Sequence, residues 1–169
     1  KTGMVPKKNQ ANPSSPAETS TVPLYGLISY DVWVAGGYAY VATTDVSSPT
    51  NNLLRVIDVS NPHLPSEVGY VSFDGGTVGA LQKAGNFIYI AAGAGGIKVV
   101  NVTDKAHPAL EPGSYSSSSL MNASGITVRG SLLYVANGSA GNLQIFNISN
   151  PTSPIFLGKA EVGGNVSEV

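Results

Sequence analysis

The 169-residue sequence contains no cysteine and little charge. Without cysteine, disulfide bridges and thiolate metal sites are excluded, so the fold has to be held by core packing. Charged residues make up 11% of the chain, less than half of the roughly 25% usual in soluble domains. Nine basic and ten acidic residues give a formal net charge of -1. We therefore expect no surface for nucleic acid or for an anionic membrane.

Long hydrophobic runs are also missing. The longest near-apolar stretch, 87–96, is short and is interrupted by glycine, whereas a membrane-spanning helix needs about 20 apolar residues. The first ten residues, KTGMVPKKNQ, lack the apolar core of a signal peptide. We therefore expect no membrane insertion and, if the protein is secreted, a mature or excised chain.

Three copies of one pattern account for most of the chain. The segments GGYAYVAT, GNFIYIAAG and GSLLYVANG align and put a tyrosine at the same place in each copy. LLRVIDVSNPHLP, IKVVNVTDKAHP and LQIFNISNPTSP follow directly, and each has an Asp or Asn seven residues before a proline. A glycine in a predicted short strand then completes each copy. The aligned residues are Tyr40, Tyr89 and Tyr134, then Asp58, Asn101 and Asn147, then Gly69, Gly113 and Gly158.

Alternation of apolar residues with period two indicates β-strands within each copy. Leu54 and Val56, for example, alternate with Arg55 and Ile57. Turn residues such as Gly-Asn, GAGG and Asn-Pro separate four such strands in a copy. No segment keeps a helical period over three turns. We therefore predict an all-β chain of four-stranded antiparallel units.

The strings YAYVA, LLRVIDVSNP and LQIFNISNP resemble LVIVD repeats, which form short β-propeller blades in secreted or surface proteins of bacteria and archaea. The resemblance covers roughly residues 30 to 162. The middle copy reads VVNVTDKAHP and departs from the pattern, because it has no Asn-Pro pair. The resemblance implies a β-propeller-like array of about three blades and a secreted or surface setting.

The predicted organisation is an arm followed by blades. Residues 1–23, rich in Pro, Ser and Thr, form an extended arm that either docks on an adjacent subunit or packs on its own propeller. Propellers usually need four to eight blades to close, so we expect an incomplete array, either part of a longer propeller or completed by neighbouring chains. The blades are 24–76, 77–121 and 122–162, and 163–169 begins a further unit.

Five Asn-X-Ser/Thr sequons occur, where composition predicts roughly 2.3 by chance. We expect the loop pair Asn122 and Asn165, together with Asn137, to be the better exposed N-glycosylation sites. At the other two, the asparagine could instead cap a turn as Asp58 does. The serine run 116–119 and the arm are candidates for O-glycans. The sequons are at Asn101, Asn122, Asn137, Asn147 and Asn165.

No catalytic, cofactor or metal site is predicted. His63 and His107 are the only histidines and lie in turns without carboxylates at ligand spacing. The glycine-rich loop at 93–96 precedes a strand rather than a helix, so a hairpin is favoured over a phosphate loop. The repeated tyrosines and Trp33 fit packing between blades better than sugar stacking.

Together these features predict a glycosylated structural protein, extracellular or at the cell surface. It would be a subunit of a fibre or adhesive scaffold, with copies of itself as partners through the arm and the terminal strands. No enzyme activity is expected. The alternative is a ligand- or protein-binding propeller module with its site at the mouth of a central channel. A third possibility is one part of a larger soluble propeller.

Overall fold

The computed structural model describes residues 27–45, 48–115 and 122–167. Their strands form three four-stranded sheets, each antiparallel and in chain order. The first sheet contains β1 (Leu27–Ala35), β2 (Tyr38–Asp45), β3 (Ser48–Asp58) and β4 (Ser66–Asp74). The second contains β5 (Ala80–Ala84), β6 (Phe87–Ala91), β7 (Ile97–Asn101) and β8 (Ala109–Leu110). The third contains β9 (Ala123–Arg129), β10 (Leu132–Asn137), β11 (Asn142–Asn147) and β12 (Ile155–Glu161).

The prediction of an all-β chain of four-stranded antiparallel units is confirmed. The only other regular element in the described residues is a short 3-10 turn at Gly138–Ala140. The predicted limits of the blades and of the arm stay predictions. Residues 1–23 and the serine run 116–119 lie outside the described residues.

One detail of the aligned glycines was predicted wrongly. Gly69 and Gly158 lie in β4 and β12 as expected, but Gly113 follows the two-residue strand β8 and lies in a turn. The segment rejoins β7 further on, where Tyr115 and Ile97 exchange backbone hydrogen bonds of 2.8 and 2.9 Å. The fourth strand of the second sheet is therefore interrupted rather than absent.

The same turn joins the first two strands of every sheet. Its glycines have φ values of +61°, +56° and +61°, a left-handed conformation that other L residues rarely adopt. The two-residue connection matches the hairpins expected where an alternating pattern is broken by glycine. The glycines are Gly36, Gly85 and Gly130.

Each sheet has two chemically different faces. The face that carries Tyr40, Tyr89 or Tyr134 is called here the Tyr face, and the other the back face. The side chains of the Tyr face of the first sheet pack against the back face of the second, in one buried cluster. The Tyr face of the second sheet packs in the same way on the back face of the third. Both junctions therefore use one contact, Tyr face on back face.

The first strands of the three sheets lie side by side. β1 contacts β5, and β5 contacts β9, while on the far side β4 contacts β8. The sheets therefore share an inner edge, as blades do around a propeller axis. The arrangement is a propeller-like array of three blades with two terminal sheets in the described residues.

Burial separates the internal faces from the terminal ones. Tyr40 and Tyr89 are 0% exposed, whereas Tyr134, on the Tyr face of the third sheet, is only half-buried. The prediction that the tyrosines form core between sheets is confirmed for the first two. Tyr134 differs because no fourth sheet covers it in the described residues.

The back face of the first sheet is open along β1 but not over β2 and β3, where Ala39, Val41 and Ile57 are 7–8% exposed. Val32 and Val34 of β1 are 53% and 63% exposed. Leu81, which aligns with Val32 in the second copy, is 4% exposed because the first sheet covers it. Trp33 points to the other face and packs on the first junction, as predicted.

An ion pair ties the first two sheets together. Lys98 of β7 is 8% exposed, and its Nζ lies 2.7 Å from Oδ1 of Asp74 at the end of β4. The hydrogen bond from Lys98 and its charge hold the pKa of the Asp74 carboxyl below its usual value. Since the folded-state pKa is the lower one, the pair stabilises the fold fully above the unfolded value of about 3.9. This contribution is lost as the pH falls through the folded value.

Lys98→Met is therefore expected to return the pKa of Asp74 towards its usual value. It should also remove this part of the acid destabilisation, a modest effect because the Asp74 side chain is largely exposed. Carbon-13 NMR titration of the Asp74 carboxyl measures the shift. Lys159→Met, which breaks an exposed pair with Glu161, is the control. An unchanged Asp74 titration in Lys98→Met would contradict the assignment.

Candidate functional site

The turn after the third strand of each sheet is held by a side-chain oxygen. Oδ1 of the Asp or Asn that ends the strand accepts the N–H two residues later, at 2.8, 3.0 and 2.8 Å in the three copies. This is an Asx turn, in which the side chain replaces a backbone acceptor. The capping role considered for Asn101 and Asn147 is therefore present, and it matches that of Asp58.

A second Asx turn follows three residues after the first. Asn61, Asp104 and Asn150 accept the N–H two residues on, at 3.0, 2.9 and 3.3 Å. The middle copy lacks Asn-Pro but keeps the turn, because an aspartate supplies the same acceptor oxygen. Two consecutive Asx turns thus give this loop the same hydrogen bonding in all three copies.

Local hydrogen bonds also favour the charged form of two of these carboxyls. The pKa of the Asp58 carboxyl is lowered mostly by the hydrogen bond from the Ser60 hydroxyl, and also by the one from the Ser60 N–H. The pKa of the Asp104 carboxyl is lowered mostly by the hydrogen bond with the His107 ring, whose Nδ1 lies 3.0 Å from Oδ2. The Ala106 N–H also lowers it. His107 is exposed, and its ring contacts the aspartate that forms this turn. Among the described residues no group of three His, Asp or Glu side chains could hold a metal ion.

The two sequon asparagines that end β7 and β11 are partly accessible to solvent. Asn101 and Asn147 are half-buried, and their turns use the amide oxygen. An N-linked sugar attaches to the amide nitrogen, so the turn and a glycan do not compete for the same atom. Glycosylation at these two positions stays a prediction.

The expectation that Asn137 is well exposed is wrong. The side chain is 0% exposed. Its Nδ2 donates to Oδ1 of Asn142 at 3.3 Å, and its Oδ1 accepts the Asn122 N–H at 3.1 Å. Asn137 ends β10 and points inward, where it links β11 to the start of the third copy. Its amide nitrogen is therefore a structural donor in the folded chain.

The loop pair differs between its members. Asn165 is exposed. Asn122 is half-buried, and its amide packs on Gly138, where an added Cβ would lie 2.5 Å from Asn122 Nδ2. Asn165 is therefore the most accessible of the five sequon asparagines.

A cleft of ≈ 380 Å³ lies where the inner strands of the three sheets meet. One carboxylate lines it, that of Asp31. Oδ2 of Asp31 accepts the Leu81 N–H of the second sheet at 2.8 Å, and Oδ1 accepts the Val32 N–H at 2.8 Å. The residues that line the cleft include Tyr30, Asp31, Gly79, Ala80, Ser124 and Ile126.

This cleft corresponds to the position where the alternative binding module would have its site. The Asp31 carboxylate already ties the first sheet to the second, so its oxygens are used in the fold. Ser124 donates its hydroxyl to the Val166 carbonyl at 2.8 Å. Asp31 thus joins two neighbouring copies, and Ser124 holds the segment that follows β12.

Sequence reasoning missed the part played by the aligned glycines. A Cβ on Gly69 would lie 2.5 Å from the carbonyl oxygen of Lys105 and 2.6 Å from that of Ala106. A Cβ on Gly113 would overlap the Thr152 carbonyl oxygen. Each glycine therefore receives the Asx loop of the next sheet. The signal was available, since glycine inside a strand often marks close approach of another backbone.

Three stacked antiparallel sheets around a shared inner edge, joined by one repeated contact, define a β-propeller-like repeat module. The LVIVD repeat model matches this chain three times, at residues 28–72, 75–116 and 122–161. The chain belongs to the LVIVD-repeat family. No match was found among curated protein sequences.

Solved structures of similar fold include two designed proteins. The crystal structure of the computationally designed Ika4 protein is 12% identical with a TM-score of 0.61, over 91% of this chain and 86% of Ika4. The computationally designed Ika8 protein is 12% identical with a TM-score of 0.57, over 83% of this chain. This chain spans only 39% of Ika8. At this identity the likeness concerns the fold alone. No helix among the described residues has the length and apolarity to cross a membrane.

Proposed function

We propose that this chain is a non-enzymatic module of an extracellular or cell-surface scaffold that carries N-linked glycans and associates with copies of itself. The observation that carries the proposal is the pair of partly open terminal faces in the described residues. The back face of the first sheet is exposed along β1, and the Tyr face of the third sheet is half-buried. These are the two halves of the contact that both internal junctions use.

The exposed apolar area supports association rather than a solitary chain. Val32 and Val34 are more than half exposed on the back face, while Leu143 and Ile145 are only half-buried on the Tyr face of the third sheet. The residues that align with this latter pair in the second sheet, Ile97 and Val99, are 0% exposed. Apolar patches of this kind commonly mark protein contacts.

The surface setting rests on composition and family. Low charge leaves solubility to neutral polar groups, a role that glycans would share. The LVIVD resemblance also implies a secreted or surface protein. We assign the chain no cofactor and no nucleic-acid partner.

Sedimentation of the full chain over a range of concentrations tests self-association. We expect the average mass to rise with concentration and negative-stain microscopy to show rods or rings. A chain that sediments as a monomer at every concentration would contradict the proposal. A monomer that binds a small molecule in the Asp31 cleft would favour the binding module instead.

Glycan attachment is expected at Asn165 and not at Asn137. In a host that secretes the chain and adds N-glycans, Ser167→Ala should lower the intact mass by one glycan, because Asn165 is exposed. Ser139→Ala should leave the mass unchanged apart from the substitution, because the amide of Asn137 is buried and hydrogen-bonded. Both variants keep the asparagine, so the comparison removes only the sequon. Intact-mass spectrometry distinguishes the outcomes, and an unglycosylated parent chain would contradict the proposed glycosylation.

A further inference from the structure

Each internal junction seats a loop of the next sheet at one place. At the second junction, Gly113 lies directly against the Thr152 carbonyl. Tyr89 donates its hydroxyl to the neighbouring Pro151 carbonyl at 3.2 Å. The missing side chain of the glycine and the hydroxyl of the tyrosine together form a seat for the backbone of the Asx loop.

The first junction repeats the glycine contact of this arrangement. Gly69 lies against the carbonyls of Lys105 and Ala106, which align with Pro151 and Thr152. Tyr40 is 0% exposed beneath the same loop-bearing sheet. The close approach of the loop to the glycine is thus shared by both junctions.

The third copy carries the same seat in open form. A Cβ on Gly158 would meet no atom within 4 Å. Tyr134, which aligns with Tyr89, is half-buried. Leu143 and Ile145, also half-buried, extend the apolar surface around it.

The matching loop is displayed at the other end of the chain. Pro62 and His63 align with Pro151 and Thr152 and are exposed, and Leu64 beside them is 74% exposed. The two Asx turns hold the loop as in the other copies, with Ser60 N–H and His63 N–H bonded to side-chain oxygens at 2.8 and 3.0 Å. Because loop and seat are both already formed, docking would order little new structure.

We infer that the Pro62–His63 loop of a second copy of this chain docks on the seat formed by Gly158 and Tyr134. The exposed part of the back face of that copy, along β1, then lies on the Tyr face of the third sheet. This is a head-to-tail contact, which generates a closed ring or a filament according to the rotation between copies. The inference rests on the proposed self-association and names the surface that performs it.

Blocking the seat tests the inference. Gly158→Val fills the space that the incoming carbonyl needs, and we expect the dissociation constant for self-association, measured by sedimentation, to rise on the order of tenfold or more. Lys159→Val, next along β12 and on the other side of the sheet, should change it less than about twofold. Tyr134→Phe, which removes only the hydroxyl, should weaken association to a smaller degree than Gly158→Val. Thermal unfolding at low concentration verifies that each variant is folded.

A label on the loop locates its partner independently. The chain has no cysteine, so Leu64→Cys accepts a single spin label. Mixed with nitrogen-15-labelled copies, labelled chains should broaden the amide signals of Gly158 and Tyr134. Association that persists unchanged in Gly158→Val, or broadening confined to other surfaces, would overturn the seat while leaving the proposed scaffold intact. Absence of association in the parent chain would overturn both.

Discussion

Replacing Tyr89 by alanine is expected to lower the free energy of unfolding by about 4 kcal/mol, whereas the same change at Tyr134 should cost about 1 kcal/mol. Tyr89 is 0% exposed between the second and third sheets, so its removal leaves a large cavity and an unpaired Pro151 carbonyl. Tyr134 holds the same place in the third copy but is only half-buried. Little packing is lost there as long as the chain is monomeric.

The measurement is denaturant unfolding at a concentration where the chain is monomeric. Tyr134→Ala is the matched control, since residue type and strand position are the same. Similar losses in the two variants would contradict the burial difference on which the open Tyr face depends. Tyr40→Ala should behave like Tyr89→Ala.

The buried Tyr89 hydroxyl also predicts a loss of stability at alkaline pH. Burial raises the pKa of Tyr89 to about 12, above the unfolded value of about 10. The neutral form therefore stabilises the fold fully below about pH 10, and the contribution is lost as the pH rises through the folded value. Tyr89→Phe should reduce this part of the alkaline destabilisation.

Gly113→Ala is expected to cost about 3 kcal/mol, while Gly158→Ala should change stability by less than about 0.5 kcal/mol. The added methyl group at Gly113 would overlap the Thr152 carbonyl, so the third sheet has to move away from the second. At Gly158 the same methyl group meets nothing within 4 Å. Neither glycine has a left-handed φ, so backbone strain does not contribute to the difference in stability between the two variants.

Denaturant unfolding of both variants, at low concentration, measures this difference. Gly69→Ala is a third member of the series and should resemble Gly113→Ala, because its Cβ would meet two backbone carbonyls. A costly Gly158→Ala in the monomer would mean that the seat is already filled within the chain. The proposed docking of a second copy would then fail.

Much of the local structure could be predicted because it depends on neighbours in the chain. Alternation around Leu54 and Val56 identified a strand, and the hairpin glycines marked where strands reverse. The middle Asx turn was harder, since Asp104 supplies its acceptor without the Asn-Pro pair. A side-chain oxygen at the right position, rather than the dipeptide, turned out to be the requirement.

The candidate glycan sites show where such reasoning stops. Asn137 and Asn165 carry the same kind of sequon, and each is next to a glycine. One is buried and bonded to Asn142, while the other is exposed. Exposure depends on which strands and loops surround a residue, and a sequon does not encode that.

Repetition and period-two alternation in the chain are enough to establish the strands, their grouping in fours and the three equivalent copies. The strands and their grouping form within a copy, where each residue is close in sequence to those it contacts, and repetition shows that the copies are equivalent. Stacking of one sheet on the next decides the rest. It buries Tyr89 but not Tyr134, presses Gly113 against a carbonyl and leaves Gly158 open, because these environments are made by residues of another copy.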